Sequence, residues 1–392
     1  MDIAGGLYRE VCVIPDWNAE FGSGGRAAAA VSNLSPNSTL HTYIPERDSS
    51  GVLELKNLGI SVQGPISSMG IAFAYFHPLS RPHIEPPSTQ IIRQPPLHVS
   101  GNAVLRFGFL EGEAIVSAER AVYDPQTSSS PQPFSANGSN AGTLAIVLNE
   151  LELRSMSGES DLSTAAEHVM RVQNASVIVA KIGTRGALVF DRDRGRTHIP
   201  AYHSSAVFKI GTGDIFSSIF AFYWAEEKLS AHEAADLASR TVASYCSTRQ
   251  LPVPPKAISG LVAVRKASPG PILLEGEINT MGRRYVMEEA RFRLHEIGAT
   301  VISTVLDGVD LDTTSQTPAA VLIVADTITP TLRAKGQRAH KLGLPVIILA
   351  EACIDPAFAN LSGPNFTITN DFVSALYFSV WAAIPIGINE TI

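Results

Sequence analysis

The chain has 392 residues, of which 45% are hydrophobic and 17% charged, and its formal net charge is −7. This length exceeds what one ordinary core supports, so it predicts two domains, each with enough apolar residues for a core of its own. The mildly acidic balance, with no long run of either sign, argues against nucleic acid or an anionic membrane as the main partner.

The three cysteines, Cys12, Cys246 and Cys353, lie far apart in the sequence. An odd number without CxxC spacing predicts neither a disulfide framework nor a zinc site, and favours reduced thiols. The N-terminus lacks the basic-then-apolar order of a signal peptide, and no apolar run reaches the roughly 20 residues of a membrane span. We therefore expect a soluble, cytoplasmic protein.

The N-terminal segment has the pattern that opens an α/β unit. A strand is expected over Ile3–Ile14, followed by a glycine turn that contains Gly24 and Gly25 and by an Ala-rich helix over residues 26–34. Residues 41–100 are rich in proline and serine, which exclude helix and central strand at many positions. We predict that this segment forms a lid over an active site, with one strand over residues 70–77.

Strands and helices alternate regularly after Ala103. Strands are predicted over residues 114–123, 144–148, 177–181 and 187–190, and helices over residues 162–173, 214–227 and 231–247. Such alternation indicates a mainly parallel sheet covered by helices on both faces. Because ligands bind at the carboxyl ends of the strands in such sheets, we expect Asn149, Lys181 and the loop before Gly211 at one binding edge.

Prolines interrupt this pattern between residues 252 and 271, where we predict a linker. The first domain would then span residues 1–258 and the second residues 268–392. In the second domain, strands are predicted over residues 272–274, 300–305, 320–325 and 345–349, and helices over residues 283–297 and 332–342. This order is typical of another small parallel α/β unit.

The sequence Gly211-Thr212-Gly213-Asp214 stands directly before a long apolar helix. Glycines let the backbone approach a phosphate, and a helix N-terminus offers free N–H groups with partial positive charge. A carboxylate at the same place can accept a proton from a hydroxyl. The structural alternative is that Asp214 only caps the helix and the glycines only form a turn. The phosphate-binding interpretation requires Asp214 to face a cavity.

Lys181-Ile182-Gly183-Thr184-Arg185-Gly186 lies upstream and has the form of a strand end followed by a glycine turn. This order, over roughly residues 3–250, resembles the ribokinase-like (PfkB) carbohydrate kinase family. The resemblance implies a parallel three-layer α/β sandwich with a small lid. It also implies ATP-dependent phosphorylation of a hydroxyl on a small sugar or nucleoside. By this resemblance the amides of Gly211, Thr212 and Gly213 would form an anion hole in this chain, and Asp214 would be the catalytic base.

The same resemblance assigns further site residues. Asn149 and Glu152 match an "N-x-x-E" motif that organises Mg²⁺ and its waters, so the metal would be held through water at Glu152. Lys181, Gly183 and Gly186 would contact the nucleotide. On the substrate side the family pattern points to the residues Glu10, Gly24, Gly25 and Asp124.

Two departures from the family pattern concern the cation and the substrate. Phe208-Lys209-Ile210 replaces a segment that usually contains an aspartate, which puts a monovalent-cation site in doubt. The asparagine usual after the substrate glycines is also absent, since Ala27–Ala30 occupies that region. These departures keep open a non-catalytic ligand-binding or regulatory protein on a kinase fold. Lid sheets in this family often pair, so a homodimer is consistent with the resemblance.

The second domain resembles the nucleoside 2-deoxyribosyltransferases, with a flavodoxin-like α/β fold. The similar stretches are Leu274-Glu275-Gly276 and residues 301–307, but Lys335 occupies the position of that family's catalytic glutamate. We therefore expect a degenerate domain without glycosyl transfer. A bifunctional nucleoside-processing enzyme, a BRCT-like interaction domain and a plain packing module are the alternatives.

Overall fold

The computed structural model describes residues 1–46, 49–127, 129–308, 317–325, 327, 329–351 and 365–385. Cys353 lies outside these residues. The chain divides into two compact units, Met1–Ala263 and Val264–Ile392. Each unit is described separately below.

The strands of the first unit fall into one large sheet, a small four-stranded sheet and one short pair. In chain order they are β1 (Asp2–Ala4), β2 (Arg9–Cys12), β3 (Trp17–Glu20), β4 (Thr39–His41), β5 (Ile44–Pro45), β6 (Ser61–Gln63), β7 (Ile66–Ser67), β8 (Ala72–Tyr75), β9 (His83–Glu85), β10 (Leu97–Phe107), β11 (Ala114–Asp124), β12 (Asn140–Asn149), β13 (Val177–Lys181), β14 (Ala187–Asp191) and β15 (Gly195–Ile199). Its α-helices are α1 (Gly22–Val31), α2 (Ser50–Asn57), α3 (Glu150–Ser157), α4 (Leu162–Val172), α5 (Thr212–Ala221) and α6 (Ala231–Thr248).

The large sheet has the order β15-β14-β13-β12-β11-β10-β1-β4-β6 among the described residues. All neighbours from β6 to β13 are parallel, and β13, β14 and β15 are joined as antiparallel neighbours. The central strands are buried on both faces because alternate residues enter different cores: Val147 packs with one group of apolar residues and Ile146 with another. Helices α1, α5 and α6 cover the first face, and α3 and α4 cover the second. The predicted three-layer, mainly parallel α/β architecture is therefore confirmed.

The small sheet, called the lid sheet here, has the order β3-β2-β8-β9 and takes strands from two separate segments. The strand predicted over Ile3–Ile14 is therefore two strands: β1 pairs in the large sheet, and β2 crosses into the lid sheet after Gly5 and Gly6. The lid was predicted within residues 41–100, but fewer residues of this segment belong to the lid sheet than expected. Strand β6 extends the large sheet because it pairs with β4, and Leu55 of α2 packs in the core on one face of that sheet. From this segment only β8 and β9 belong to the lid sheet, among the described residues.

The second unit contains a parallel five-stranded sheet among its described residues, in the order β17-β16-β18-β19-β20. Its strands are β16 (Ile272–Gly276), β17 (Val301–Ile302), β18 (Ala320–Val324), β19 (Val346–Leu349) and β20 (Phe366–Thr369). Its helices are α7 (Met281–Glu296), α8 (Thr304–Asp307), α9 (Pro330–Lys341) and α10 (Phe372–Ala382). Leu332 and Ala339 of α9 pack with apolar residues of β18 and β19 in the core of this unit. None of the helices described in either unit has the length and apolarity to span a membrane.

Candidate active site

The turn before α5 holds the glycine sequence that was predicted to bind phosphate. Gly211 caps α5 with a φ of +76°, a left-handed conformation that a side chain would strain. A Cβ on Gly211 would also lie 1.9 Å from Nε of Arg26, which leaves no room for a larger residue. Among the described residues, no side chain caps this helix. The N–H of Thr212 already makes a long 3.4 Å hydrogen bond to the carbonyl oxygen of Lys209. The N–H of Gly213 and the positive end of the α5 dipole are available to an anion.

Lys181 reaches the same turn from the end of β13. A Cβ on Gly213 would lie 3.5 Å from its Nζ, which donates a 2.8 Å hydrogen bond to Oδ2 of Asp124. The same oxygen of Asp124 accepts a 2.7 Å bond from Oγ of Ser217. Burial acts to lower the pKa of Lys181, but the carboxylates of Asp124 and Glu152 outweigh it and raise the pKa. A fixed cation therefore stands beside the amides of α5.

Asp214 lies in the first turn of α5 and lines a cavity of about 550 Å³, although only 8% of the residue is exposed. Its Oδ1 accepts a 2.6 Å hydrogen bond from Nε2 of Gln126, and its Oδ2 lies 3.5 Å from Nη1 of Arg26. Burial raises the pKa of Asp214 to about 7, against the lowering effect of the Arg26 charge. A carboxyl with a pKa near neutrality is suited to take a proton from a hydroxyl.

Arg26 is fully buried in the otherwise apolar part of α1 and joins two carboxylates. Nη1 donates a 2.9 Å hydrogen bond to Oε1 of Glu10, and Nη2 donates to Oε2 of the same carboxylate. Glu10 lines the cavity as expected of a substrate contact, but both of its oxygens already accept from Arg26. Arg26 was not predicted as a site residue. The signal in the sequence was a lone charge beside a run of alanines, since a charge that is buried with them needs partners.

Aromatic and aliphatic side chains form part of the wall of the cavity beside Asp214, and they come from the lid sheet, from the residue before β2 and from the loop after β10. These are Tyr8, Phe73, Tyr75, Ile84, Phe109 and Leu110. Two polar side chains of the lining are Gln126, which is bonded to Asp214, and Ser23, whose buried Oγ has no hydrogen-bond partner. The wall therefore combines broad apolar contact with several hydrogen-bonding groups, which include Glu10 and Thr127.

The predicted substrate glycines serve packing. A Cβ on Gly24 would lie 2.4 Å from the carbonyl oxygen of Gly5, and one on Gly25 would lie 2.8 Å from the Leu7 side chain. Both glycines lie inside α1, whereas Gly22 and Ser23 line the cavity. Asp124, 1% exposed, faces Lys181 and Ser217, so the cavity is lined instead by Pro125, Gln126 and Thr127.

Asn149 and Glu152 form a capping box at the start of α3. Oδ1 of Asn149 accepts from the Glu152 N–H at 2.9 Å, and Oε2 of Glu152 accepts from the Asn149 N–H at 2.8 Å. Burial, followed by the charge of Asp124, raises the pKa of Glu152. Oε1 of Glu152 stays outside the capping bond, and a hard oxygen of this kind suits Mg²⁺. No group of three or more His, Cys, Asp or Glu side chains in the described chain could hold a metal by itself.

The two predicted nucleotide glycines lie in the turn between β13 and β14. Gly183 has a φ of +63° and open space where a Cβ would lie. Gly186 has a φ of +93°, and a Cβ there would lie 2.1 Å from the carbonyl oxygen of Ile199. The first glycine is thus free to face a ligand, while the second lets the hairpin close.

The second unit has its own cavity, of about 310 Å³, at the carboxyl ends of β16, β18 and β19. Its lining includes Glu277, Arg283 and Val286. Lys335 and Glu275 form a separate ion pair: Nζ of Lys335 donates to Oε2 of the fully buried Glu275 at 2.5 Å. The hydroxyl of Thr304 lies 2.9 Å from both oxygens of Glu275.

No family model matches the sequence, and no curated protein matches it. Solved structures do match, with low sequence identity. Ribokinase from Arabidopsis thaliana complexed with ribose and ATP has 13% identity and a TM-score of 0.50, covering 66% of this chain and 96% of that chain. Ribokinase from Thermotoga maritima has 17% identity and a TM-score of 0.46, covering 67% and 95%. A pyrophosphate-dependent kinase of the ribokinase family, complexed with a pyrophosphate analog and myo-inositol, has 18% identity and a TM-score of 0.44, covering 64% and 96%.

These structural neighbours are kinases of the ribokinase/PfkB family. The first unit, with its large and mainly parallel central sheet, has the ribokinase-like fold.

Proposed function

We propose that the first unit, built on this fold, transfers a phosphoryl group from ATP to a hydroxyl of a small sugar or nucleoside. The observation that carries the proposal is the position of Asp214. Its carboxylate faces a cavity, has a pKa of about 7 and stands beside the uncapped N-terminus of α5. Proton acceptance and stabilisation of phosphoryl charge are thereby available at one point.

In the proposed reaction the acceptor hydroxyl lies in the cavity and gives its proton to the Asp214 carboxylate. The acceptor oxygen forms a bond to the γ-phosphorus of ATP, and the bond from that phosphorus to the bridging oxygen breaks, so that ADP leaves. The amides of Gly211, Thr212 and Gly213 and the Lys181 ammonium stabilise the negative charge on the phosphoryl oxygens. Gln126, which donates to Asp214, orients the carboxylate.

Magnesium fits the donor side of this proposal. Bound Mg²⁺ would neutralise charge on the ATP phosphates. Glu152 would hold it through water, with Asn149 fixing the Glu152 carboxylate by the capping box. This arrangement also explains a buried carboxylate beside Asp124, since a cation would offset the repulsion that raises the pKa of Glu152.

The cavity wall favours a nucleoside over a free sugar as the acceptor. Planar bases gain about 1–3 kcal/mol each from stacking on aromatic side chains. Glu10 already accepts two hydrogen bonds from Arg26, and Asp124 accepts from Lys181 and Ser217. Fewer of their acceptor sites are therefore left for the hydroxyls of a polyol. The aromatic side chains Tyr8, Phe73, Tyr75 and Phe109 suit a planar ring.

The test is a screen of sugars and nucleosides with ATP and Mg²⁺, in which ADP release and the phosphorylated product are both measured. A parallel set with pyrophosphate in place of ATP tests the donor. We expect Asp214→Asn to lose about 10²–10⁴-fold in kcat with an accepted substrate. Asp193→Asn is the matched control, since Asp193 is an exposed carboxylate in the turn after β14. Full turnover by Asp214→Asn would refute the assignment of the base.

For the second unit we propose a degenerate nucleoside 2-deoxyribosyltransferase-like domain that binds a small ligand without glycosyl transfer. Lys335 stands where that family has its catalytic glutamate, and its ammonium is held by Glu275. Lys335 supplies no carboxylate for covalent attack on a sugar, and Glu275 is fully buried and does not line the cavity. The cavity that includes Arg283 and Val286 is of a size for a small molecule.

The full chain should therefore release no base from 2′-deoxynucleosides. Calorimetry of Asp214→Asn, which prevents turnover, should detect nucleoside binding at both units. Val286→Trp, which fills the second cavity, should remove the contribution of the second unit and leave that of the first. Base release that persists in Asp214→Asn would contradict the proposal for this unit.

A further inference from the structure

A buried guanidinium lies between two carboxylates beneath the glycine turn. Arg26 is 0% exposed and holds Glu10 with two hydrogen bonds, while its Nη1 also lies 3.5 Å from Oδ2 of Asp214. Its Nε has no hydrogen-bond partner, and its side chain packs directly against Gly211. The Arg26 guanidinium therefore interacts with two carboxylates to different extents. Both of its terminal nitrogens are hydrogen-bonded to Glu10, whereas Asp214 lies at a longer distance.

The sharing has an electrostatic consequence. The Coulomb interaction between buried charges is strong because the surroundings screen it little. The positive charge of Arg26 favours the ionised form of Asp214, whereas the negative charge of Glu10 disfavours it. The proton affinity of Asp214 therefore depends on the relative strength of the Arg26 and Glu10 charges, which also form an ion pair with each other.

We propose that Arg26 and Glu10 are positioning residues with opposite effects on the base, Arg26 keeping Asp214 ionised and Glu10 keeping it ready to accept a proton. This inference rests on the proposed function only for its effect on catalysis. The directions of the pKa contributions at Asp214 agree with it, since Arg26 lowers that pKa and Glu10 raises it.

Other charged or titratable groups face this cluster from each neighbouring element. They are Asp124 at the end of β11, Lys181 at the end of β13, Tyr75 on β8 and Tyr245 on α6. The negative charge of Asp124 raises the pKa of Asp214 and the positive charge of Lys181 lowers it. These two already form an ion pair with each other, so substitution of Arg26 or Glu10 leaves their contribution in place.

The experiment measures the titration of the Asp214 carboxyl in the ligand-free full chain, by infrared difference spectroscopy, with the signal assigned by its loss in Asp214→Asn. We expect Arg26→Gln to move the titration midpoint to higher pH and Glu10→Gln to move it to lower pH, each by about one pH unit or more. The double variant should titrate between the two single variants, because the two changes act in opposite directions. Glu85→Gln, which removes an exposed carboxylate from the lid sheet, is the control and should leave the midpoint unchanged.

A purely structural role predicts a different pattern. Both single variants leave a buried charge without its partner, so both should lower the stability of the first unit. A loss of packing alone would therefore move the Asp214 titration midpoint in the same direction in both variants. That result would overturn the proposal. Glu10→Asp serves where Glu10→Gln does not fold: its shorter carboxylate withdraws from Arg26 and should still move the midpoint to lower pH.

The acid limb of the pH profile of kcat/KM gives the second readout, because it reports the base of the free enzyme. It should move with the spectroscopic midpoint in each variant. If the midpoints move apart but no acceptor is phosphorylated, the opposite roles stand and the proposed kinase activity fails. If phosphorylation occurs and both acid limbs move the same way, the kinase activity stands and the opposite roles fail.

Discussion

The carboxyl of Asp214 binds its proton more tightly in the folded chain than in an unfolded one, because burial raises its pKa to about 7. Between its ordinary pKa, which is 3.8, and about pH 7 the folded state therefore binds more protons than the unfolded state. Stability contributed by this group falls as the pH rises through that window. We therefore expect the free energy of unfolding of Asp214→Asn, relative to that of the parent, to rise by up to about 4 kcal/mol from pH 4 to pH 8.

Urea unfolding of the first unit at several pH values measures this gain, with Asp193→Asn as the exposed control. A stability difference between Asp214→Asn and the parent that stays constant over the whole range would contradict the raised pKa.

Two features of Gly211 oppose a side chain, its positive φ and its contact with Arg26. A comparison with a second glycine that has only the positive φ can separate their costs. Gly211→Ala meets both a positive φ and a clash with Arg26, whereas Gly195→Ala meets a similar φ of +78° in open space. We expect Gly195→Ala to cost about 1 kcal/mol and Gly211→Ala at least about 3 kcal/mol, since Arg26 cannot move without breaking its ion pair. Chemical denaturation compares the two, and equal costs would show that Arg26 yields easily.

At the residue scale, the sequence predicted what local chemistry determines. A glycine turn before an apolar helix predicts a helix start, and α5 begins at Thr212. The partners of a charged side chain depend on distant segments, so the pairing of Arg26 with Glu10 across two elements could not be predicted. The same holds for Gln126, which reaches Asp214 from the end of another strand.

At the scale of elements, two helices share one capping device in different surroundings. Asn149 and Ser230 each accept from an N–H three residues later, that of Glu152 or Glu233, and each box is complete. We expect Asn149→Ala and Ser230→Ala each to cost about 1 kcal/mol in unfolding free energy. Only Asn149→Ala should also raise the Mg²⁺ concentration needed for half-maximal phosphotransfer, because only α3 lies at the proposed magnesium site. An equal change in both variants would argue against a role for Asn149 with Mg²⁺.

Local patterns predicted the interior elements well. β13 has the predicted bounds of 177–181, because a short run of buried β-branched residues with a polar end is a strong local signal. The lid sheet was predicted less accurately, since its strands come from residues 9–20 and 72–85 and pair across a long stretch of chain. Strand pairing of this kind depends on which edges meet in space, and a single sequence carries no direct record of that.

At the scale of the whole molecule, the predicted α/β class is confirmed because strand–helix alternation leaves few arrangements open. Each unit has its own sheet and its own core. Such units commonly unfold as separate bodies. Trp17 and Trp224 report on the first unit and Trp381 on the second, so fluorescence can distinguish the two transitions.

Lys335→Ala provides a test of that independence. It removes the cation that holds the fully buried Glu275, so we expect the second unit to lose about 2 kcal/mol or more of stability. Lys341→Ala, at the exposed end of α9, is the matched control. The transition seen through Trp381 should move to lower denaturant while the transition of the first unit stays in place. A common shift of both transitions would show that the two units unfold together.

Glu10 belongs to β2 of the lid sheet, whereas Arg26 and Asp214 belong to helices that cover the large sheet. The strength of the base is therefore connected to the position of a strand in another layer. A displacement of β2 that took Glu10 away from Arg26 would release positive charge towards Asp214 and make it a weaker proton acceptor, and the return of β2 would restore its basicity. An inhibitor that held β2 away from α1 would thus weaken catalysis without touching any atom of the reaction.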